Sequence, residues 1–230
     1  MTALRDEITA LCRSLGACDV GFFDTSLELG HGITVAVRLS DAIIDEIDGA
    51  PTLTYFNHYR SVNALIDHIL LRAGLLLSEN GYRYITVAAS QSMPNLGKYR
   101  GRFSHKTGAV LSGMGHVGRN CLFIHEKYGP RVRLGTVLTD FDAGVKREST
   151  DAAYICTSCN KCVSACPAQA LYGIDFDPED PDTPLMDYRA CSEHMKKAYQ
   201  HIGRGAVCGI CMRVCPKGEK SRAKKNDNKR

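Results

Sequence analysis

The sequence predicts an α+β protein in two parts: a mixed α/β domain over residues 1–150 and a cysteine-rich module over 151–218. Three observations carry this reading. Helix-type and strand-type apolar patterns alternate as far as about residue 140. From Thr150 onward, cysteine, proline and short segments replace them. Eight of the eleven cysteines then fall between residues 156 and 215. A chain of 230 residues has room for one medium domain plus a small module. A basic tail, 219–230, completes the division.

The elements of the first part follow in order. Residues 2–15 read as an amphipathic helix, with Leu4, Ile8, Leu11, Cys12 and Leu15 on one face and Gly16 as the stop. "DVGFF" (19–23) and "ITVAVRL" (33–39) are rich in β-branched and aromatic residues and read as strands. A long helix is expected over 53–79, with Leu53, Phe56, Leu65, Ile69 and Leu76 as its apolar positions and Gly81 closing it. "YITVAA" (84–89) reads as a strand and "SHKTGAVLS" (104–112) as a short helix capped by Ser104. "CLFIH" (121–125) and 131–140 are expected to pair with each other around the turn "KYGP". The acidic, proline-rich 175–184 is expected to be a loop.

Composition narrows the function classes. No apolar run approaches the roughly 18 residues of a membrane span. The opening "MTALRDEITALCRSLG" mixes charge into its apolar positions, unlike a signal peptide. A cytoplasmic chain is expected, and in that compartment clustered cysteines point to metal or catalysis rather than to disulfides. Scattered Cys12, Cys18 and Cys121 read as small buried apolar side chains. The net charge of +4 comes from residues 217–230, which carry seven basic and two acidic residues; the remainder stands at −1. The tail composition is that of a disordered end.

Cys156, Cys159, Cys162 and Cys166 followed by Pro167 give C-x2-C-x2-C-x3-C-P, the run that binds a 4Fe–4S cluster in bacterial ferredoxins. The closely spaced thiolates reach three corners of one iron cube, and the fourth cysteine ligates the other cube of a two-cluster protein. The second run, Cys208, Cys211, Cys215 and Pro216, lacks a first member, because Gly205 stands where a cysteine would repeat the pattern. Cys191, 17 positions before Cys208, is the spare ligand. Under the crossing rule one cluster takes Cys156, Cys159, Cys162 and Cys215, and the other takes Cys166, Cys191, Cys208 and Cys211. A zinc site is the competing reading, but the cysteine triplet and two trailing Cys-Pro units favour iron–sulfur.

Between Glu79 and Glu126 there is no carboxylate, while Arg83, Lys98, Arg100, Arg102, Lys106 and Arg119 and three histidines fall in that stretch. Such one-sided charge suits an anion or a phosphate-bearing cofactor; a basic surface with partners elsewhere in the fold is the alternative. "GMGHVG" (113–118) matches G-x-G-x-x-G, but it follows a helix and leads into a strand, the wrong context for a dinucleotide fold. Its glycines either admit a bulky ligand or make a tight turn.

A mixed α/β domain, then "SGMGHVGRN" (112–120), "RLGTVLTD" (133–140), the first cysteine run, lone Cys191 and the second run together resemble the epoxyqueuosine reductase family and its short relatives, the 4Fe–4S double cluster binding proteins. The likeness spans roughly 100–216 and extends more weakly to 51–67. It implies a nitroreductase-like fold for 1–150 and a ferredoxin-like two-cluster module for 151–218. It also implies a corrinoid in the first domain (a flavin being the weaker alternative) and electrons passed from the clusters to cobalt. An oxygen-sensitive, anaerobic reductase served by a donor such as ferredoxin or flavodoxin is the expected activity, with its substrate open. Arg102, Gly113, Gly115, His116, Gly118 and Arg119 are the matching cofactor-binding candidates. The segment "KYRGRFSHKTGAVLS" (98–112) carries no carboxylate, so Tyr99, His105 and Lys106 are the candidate proton donors. About 15 residues follow Cys215, so the helical repeats that the family devotes to tRNA are not expected, nor is tRNA as a partner. The alternative is an electron-transfer or reductive-activation protein whose first domain docks a partner such as a corrinoid protein.

Overall fold

The structure, a computed structural model, describes residues 2–90, 92–93, 95, 99–145, 156–177, 180 and 183–218. The boundary expected near 150, the tail 219–230 and Lys98 lie outside the described residues. The chain forms two compact units, one from Met1–Arg38, Ser61–Met114 and Arg133–Thr150, the other from Leu39–Arg60, Gly115–Val132 and Asp151–Arg230. The cysteine-rich segment thus shares its unit with two pieces of the first 150 residues.

In the first unit, strands β1 (Asp19–Asp24) and β2 (His31–Arg38) pair antiparallel, with Phe22 opposite Ile33. Strand β3 (Tyr84–Val87) pairs antiparallel with β6 (Val132–Thr139), and the four-stranded sheet runs β1-β2-β6-β3. The two central strands are buried almost throughout. That is why "GITVAV" and "VRLGTVLT" read as near-continuous rather than alternating apolar runs. Helix α1 (Thr2–Ser14) packs on β1, buries Ile8 and Cys12 completely, and ends at Gly16 in the left-handed region (φ 110°).

Helix α3 (Leu53–Glu79) has the expected bounds, and its described residues include Ile66 and Leu70 packed over Gly135 of β6. A side chain at Gly135 would sit 2.3 Å from Ile66. The buried positions are Tyr55, Val62, Ile66, Ile69, Leu70, Ala73 and Leu77, so the face differs from the expected one: Leu53 is exposed and Leu65 and Leu76 lie at its margin. By length and composition α3 is apolar enough to cross a membrane, contrary to the sequence expectation, but its apolar face packs on the sheet. Helix α4 (His105–Leu111) packs on β1 and β2, with the Ser104 hydroxyl accepting from the Thr107 amide at 3.3 Å.

Strand β3 ends two residues earlier than expected. The Ala88 carbonyl accepts from His105 and the Ala89 amide donates to Asp67, so neither continues the ladder. A second correction concerns "CLFIH". Strand β5 (Phe123–His125) pairs not with β6 but with β4 (Gly115–Val117), His116 standing opposite Ile124. β6 instead fills the sheet between β2 and β3, where its apolar run is covered.

The second unit is built from short elements. It holds helices α2 (Asp41–Asp45), α5 (Lys161–Ser164), α6 (Tyr188–Tyr199) and α7 (Ile210–Arg213), with a 3-10 turn at Gly203–Gly205 between the last two and another at Pro216–Gly218 after α7. Arg131, wholly buried, donates to Asp41 Oδ1 at 3.1 Å and Asp45 Oδ1 at 2.9 Å and anchors α2. Arg213 of α7 lies 3.6 Å from the same Asp45 carboxylate.

Candidate metal centre

The two cysteine runs fold alike. α5 carries Cys162 as its second residue, with Cys166 and Pro167 just beyond its end; α7 carries Cys211, Cys215 and Pro216 in the same places. Each of these helices closes with the same bonds: Cys166 N–H to the Val163 carbonyl at 3.2 Å and Cys215 N–H to the Met212 carbonyl at 3.3 Å. The two helices pack together.

The structure explains why the second run lacks its first cysteine. By this correspondence Gly205 takes the place of Cys156. Gly205 sits in the left-handed region (φ 66°), and a Cβ there would lie 2.7 Å from Lys196 Cα and 2.8 Å from the Met195 carbonyl oxygen. Backbone of α6 fills the space a thiol would need, and α6 itself presents Cys191 in its first turn. Asp187 caps that helix by accepting from the Ala190 amide at 2.9 Å, while its own amide donates to the Ala170 carbonyl at 2.8 Å. The bond to Ala170 ties the start of α6 to the segment following Cys166.

The eight thiols divide into two groups by the charges they feel. Burial, then Cys156 and Cys215, push the Cys162 thiol up to about 11. Cys215 is raised by burial, with Cys156 and Cys159 adding to it. In the other group burial, then Cys208 and Cys166, raise Cys191 to about 11. Cys208 is raised by burial and by Cys166. Cys211 is raised by burial, then by Cys208 and Cys191, with Cys162 the one neighbour from the first group, ahead of Cys166. These influences link Cys162 and Cys215 to Cys156 and Cys159, and Cys191 and Cys208 to Cys166, with Cys211 reached from both sides, as the expected sets of four would require. Thiolates crowded in this way disfavour one another unless a cation centre binds them. Two four-cysteine sets fit two 4Fe–4S clusters.

The turn between β4 and β5 touches both sets. Arg119 N–H points to Cys156 Sγ at 3.5 Å. Its guanidinium donates to Asn160 Oδ1 at 3.0 Å and forks onto both oxygens of Asp175 at 2.8 and 2.6 Å. Buried Asn120 donates to the Cys211 carbonyl at 3.4 Å. Cys121 Sγ lies 3.4 Å from the Tyr188 hydroxyl. Cys121, expected as a small buried apolar side chain, is buried as expected but also meets Tyr188, and Asn120, Asp175 and Tyr188 carry no signal in the sequence. Nothing in their spacing signals contacts made across 56 to 91 residues.

The remaining candidates are placed as follows. Three cations of the carboxylate-free stretch are paired from outside it: Arg83 with Asp140, Arg102 with Glu28 and Arg119 with Asp175. The space at Gly115 is filled by the Ile124 carbonyl and that at Gly118 by Asn120 and Ile124, so these two glycines serve close packing of β4 on β5; at Gly113 the space is open. His116 is half-buried on β4. Tyr99 is exposed, with a left-handed backbone (φ 66°). His105 is the most enclosed of the proposed proton donors. Its Nε2–H donates to the Ala88 carbonyl at 3.1 Å, which leaves Nδ1 to accept from Thr136 Oγ1 at 2.9 Å. Burial, helped by Arg133, holds its pKa below the usual value, so the ring is neutral at physiological pH. Lys106 is the second residue of the same helix. A further trio, Asp24, His31 and Asp142, brings ligand atoms within 4.8 Å of one another on the surface of the first unit. Asp24 and His31 already bond each other at 2.8 Å.

Comparison with known proteins agrees with this chemistry. Residues 155–218 match the 4Fe-4S double cluster binding domain. The chain is 32% identical over 136 residues to a tetrachloroethene reductive dehalogenase of Desulfitobacterium hafniense, covering 52% of this chain and 24% of that one. It is 32% identical over 116 residues to an epoxyqueuosine reductase of Lactococcus garvieae, covering 47% and 30%. The chain thus spans about a quarter to a third of the length of these curated relatives. Among solved structures, the catabolic reductive dehalogenase NpRdhA aligns with TM-score 0.73 at 18% identity over 95% of this chain and 33% of that one. Epoxyqueuosine reductase from Streptococcus thermophilus aligns with TM-score 0.58 at 19% identity over 94% and 66%. These two alignments speak for a shared fold. Taken with the cysteine runs, the matches make residues 155–218 a 4Fe-4S double cluster binding domain in a chain similar to both epoxyqueuosine reductases and reductive dehalogenases.

Proposed function

We propose that the chain is a reductase in which two 4Fe–4S clusters pass electrons to a corrinoid-type cofactor held by residues 1–150, whose fold we take to be nitroreductase-like. The observation that carries this is the mutual influence of the clustered cysteines, consistent with two sets of four, in a chain that also forms an α+β unit that cluster binding alone does not require. One related dehalogenase is described by the words "B12-dependent dehalogenation", which supports the corrinoid over a flavin. When bound, the corrinoid would supply a metal that accepts electrons from the clusters. The chain itself would hold the clusters and supply a proton, for which Tyr99, His105 and Lys106 are the candidates. Because both ring nitrogens of His105 are engaged, it stands behind the exposed Tyr99. We place the protein in the cytoplasm of an anaerobic cell, with ferredoxin or flavodoxin as electron donor and without tRNA as a partner.

A second reading is an electron-transfer or reductive-activation protein that docks a corrinoid protein and turns over no small molecule. The absence of any carboxylate from 98–112 favours it. The two readings part on one experiment. Anaerobically reconstituted protein should hold about eight irons, from two clusters of four, and cobalamin titrated into it should shift in its visible spectrum. About eight irons without a shift would favour the electron-transfer reading.

A further inference from the structure

Arg119 stands where a single charge can bias one of the two clusters. Its amide points at Cys156 Sγ, and its guanidinium lies along the ligand loop, donating to Asn160 and directed at the Cys159 carbonyl, 3.5 Å away. With a cluster bound, the Cys156 and Cys162 thiolates would act on that guanidinium electrostatically. Its counter-charge, Asp175, is held by both oxygens and is itself only half exposed. Among the described contacts Arg119 meets ligand residues of the first set only; the second set is met through the uncharged Asn120, at the Cys211 carbonyl.

We propose that the Arg119–Asp175 pair sets the reduction potential of the cluster held by Cys156, Cys159, Cys162 and Cys215, making it the easier of the two to reduce. The inference rests on the two-cluster reading above. Reduction adds one electron to a centre already surrounded by thiolates, with no bond made or broken. An N–H directed at a ligand sulfur and a nearby fixed cation both stabilise that added charge, and so raise the potential. Asp175 holds the cation in place and partly offsets its field. Loss of the cation and loss of the carboxylate should therefore move the potential in opposite directions, which a merely structural clamp would not do.

The test is an anaerobic potentiometric titration of the reconstituted full chain followed by EPR, after iron and sulfide have been counted. R119Q should lower one of the two midpoint potentials, D175N should raise the same one, and R119K should stay near the wild type; the other midpoint serves as internal control. Unchanged midpoints in clusters that load normally would overturn the inference, as would shifts of the same sign in R119Q and D175N. If R119Q fails to load iron, D175N decides alone: an upward shift supports the proposal, and no shift or a downward one overturns it. A wild-type chain that takes up far fewer than about eight irons would instead overturn the two-cluster reading itself.

Discussion

His105 shows how one residue trades chemical availability for structural service. It ties α4 to the backbone beyond β3 and to Thr136 of β6, and burial keeps it neutral. Since its folded pKa lies below that of the unfolded chain, unfolding takes up a proton in acid. Stability is then intact above the unfolded value near 6.5 and falls as pH drops below it. Thermal melts at pH 7.5 and 5.5 should show this loss, and H105Q should reduce it; His58, lowered by burial in the same sense, contributes the remainder. T136V should cost about 1–2 kcal/mol in a denaturant titration, because it leaves a buried ring nitrogen without its donor. Arg131 is a second such residue. R131M should cost about 3 kcal/mol, the low end for a broken buried pair, because Asp41 and Asp45 retain some solvent. None of these pairings was legible in the sequence: Arg102 and Glu28, 74 residues apart, and Arg119 and Asp175, 56 apart, turn a stretch that looks purely basic into paired charges.

Among the elements, the cysteine runs were the most legible, because metal ligation fixes residue type and spacing together. What the spacing did not give was the reason for Gly205. Close packing of the 203–205 turn on α6 excludes a side chain there and makes α6 the source of the ligand. C191S should therefore reduce bound iron from about eight to about four atoms per chain. Adding G205C should not restore it, since a Cβ at that position meets α6 backbone; recovery of iron in the double variant would contradict this packing. The long helix, the capping Ser104 and the first two strands were likewise readable from local periodicity and caps. The partner of β5 was not. Local pattern proposes the next strand along the chain, whereas β6 is claimed by a sheet that can bury both its faces.

For the whole molecule, the cysteine segment should depend on iron. α5 and α7 have four residues each, too short to persist as isolated helices. Crowded, partly buried thiols do not favour their own packing. Anaerobic chelation should lower the melting temperature and leave amides of residues 156–218 exchanging rapidly, while those of β2 and β6 stay protected, as followed by hydrogen exchange. The claim on which the functional reading depends is that electrons leave these clusters for a corrinoid. It is tested most directly by photoreducing the holoprotein anaerobically, adding one equivalent of cob(II)alamin, and reading both EPR signals with time. The reduced-cluster signal and the cob(II)alamin signal should decay together; clusters that stay reduced beside unchanged cob(II)alamin would contradict electron transfer to a corrinoid.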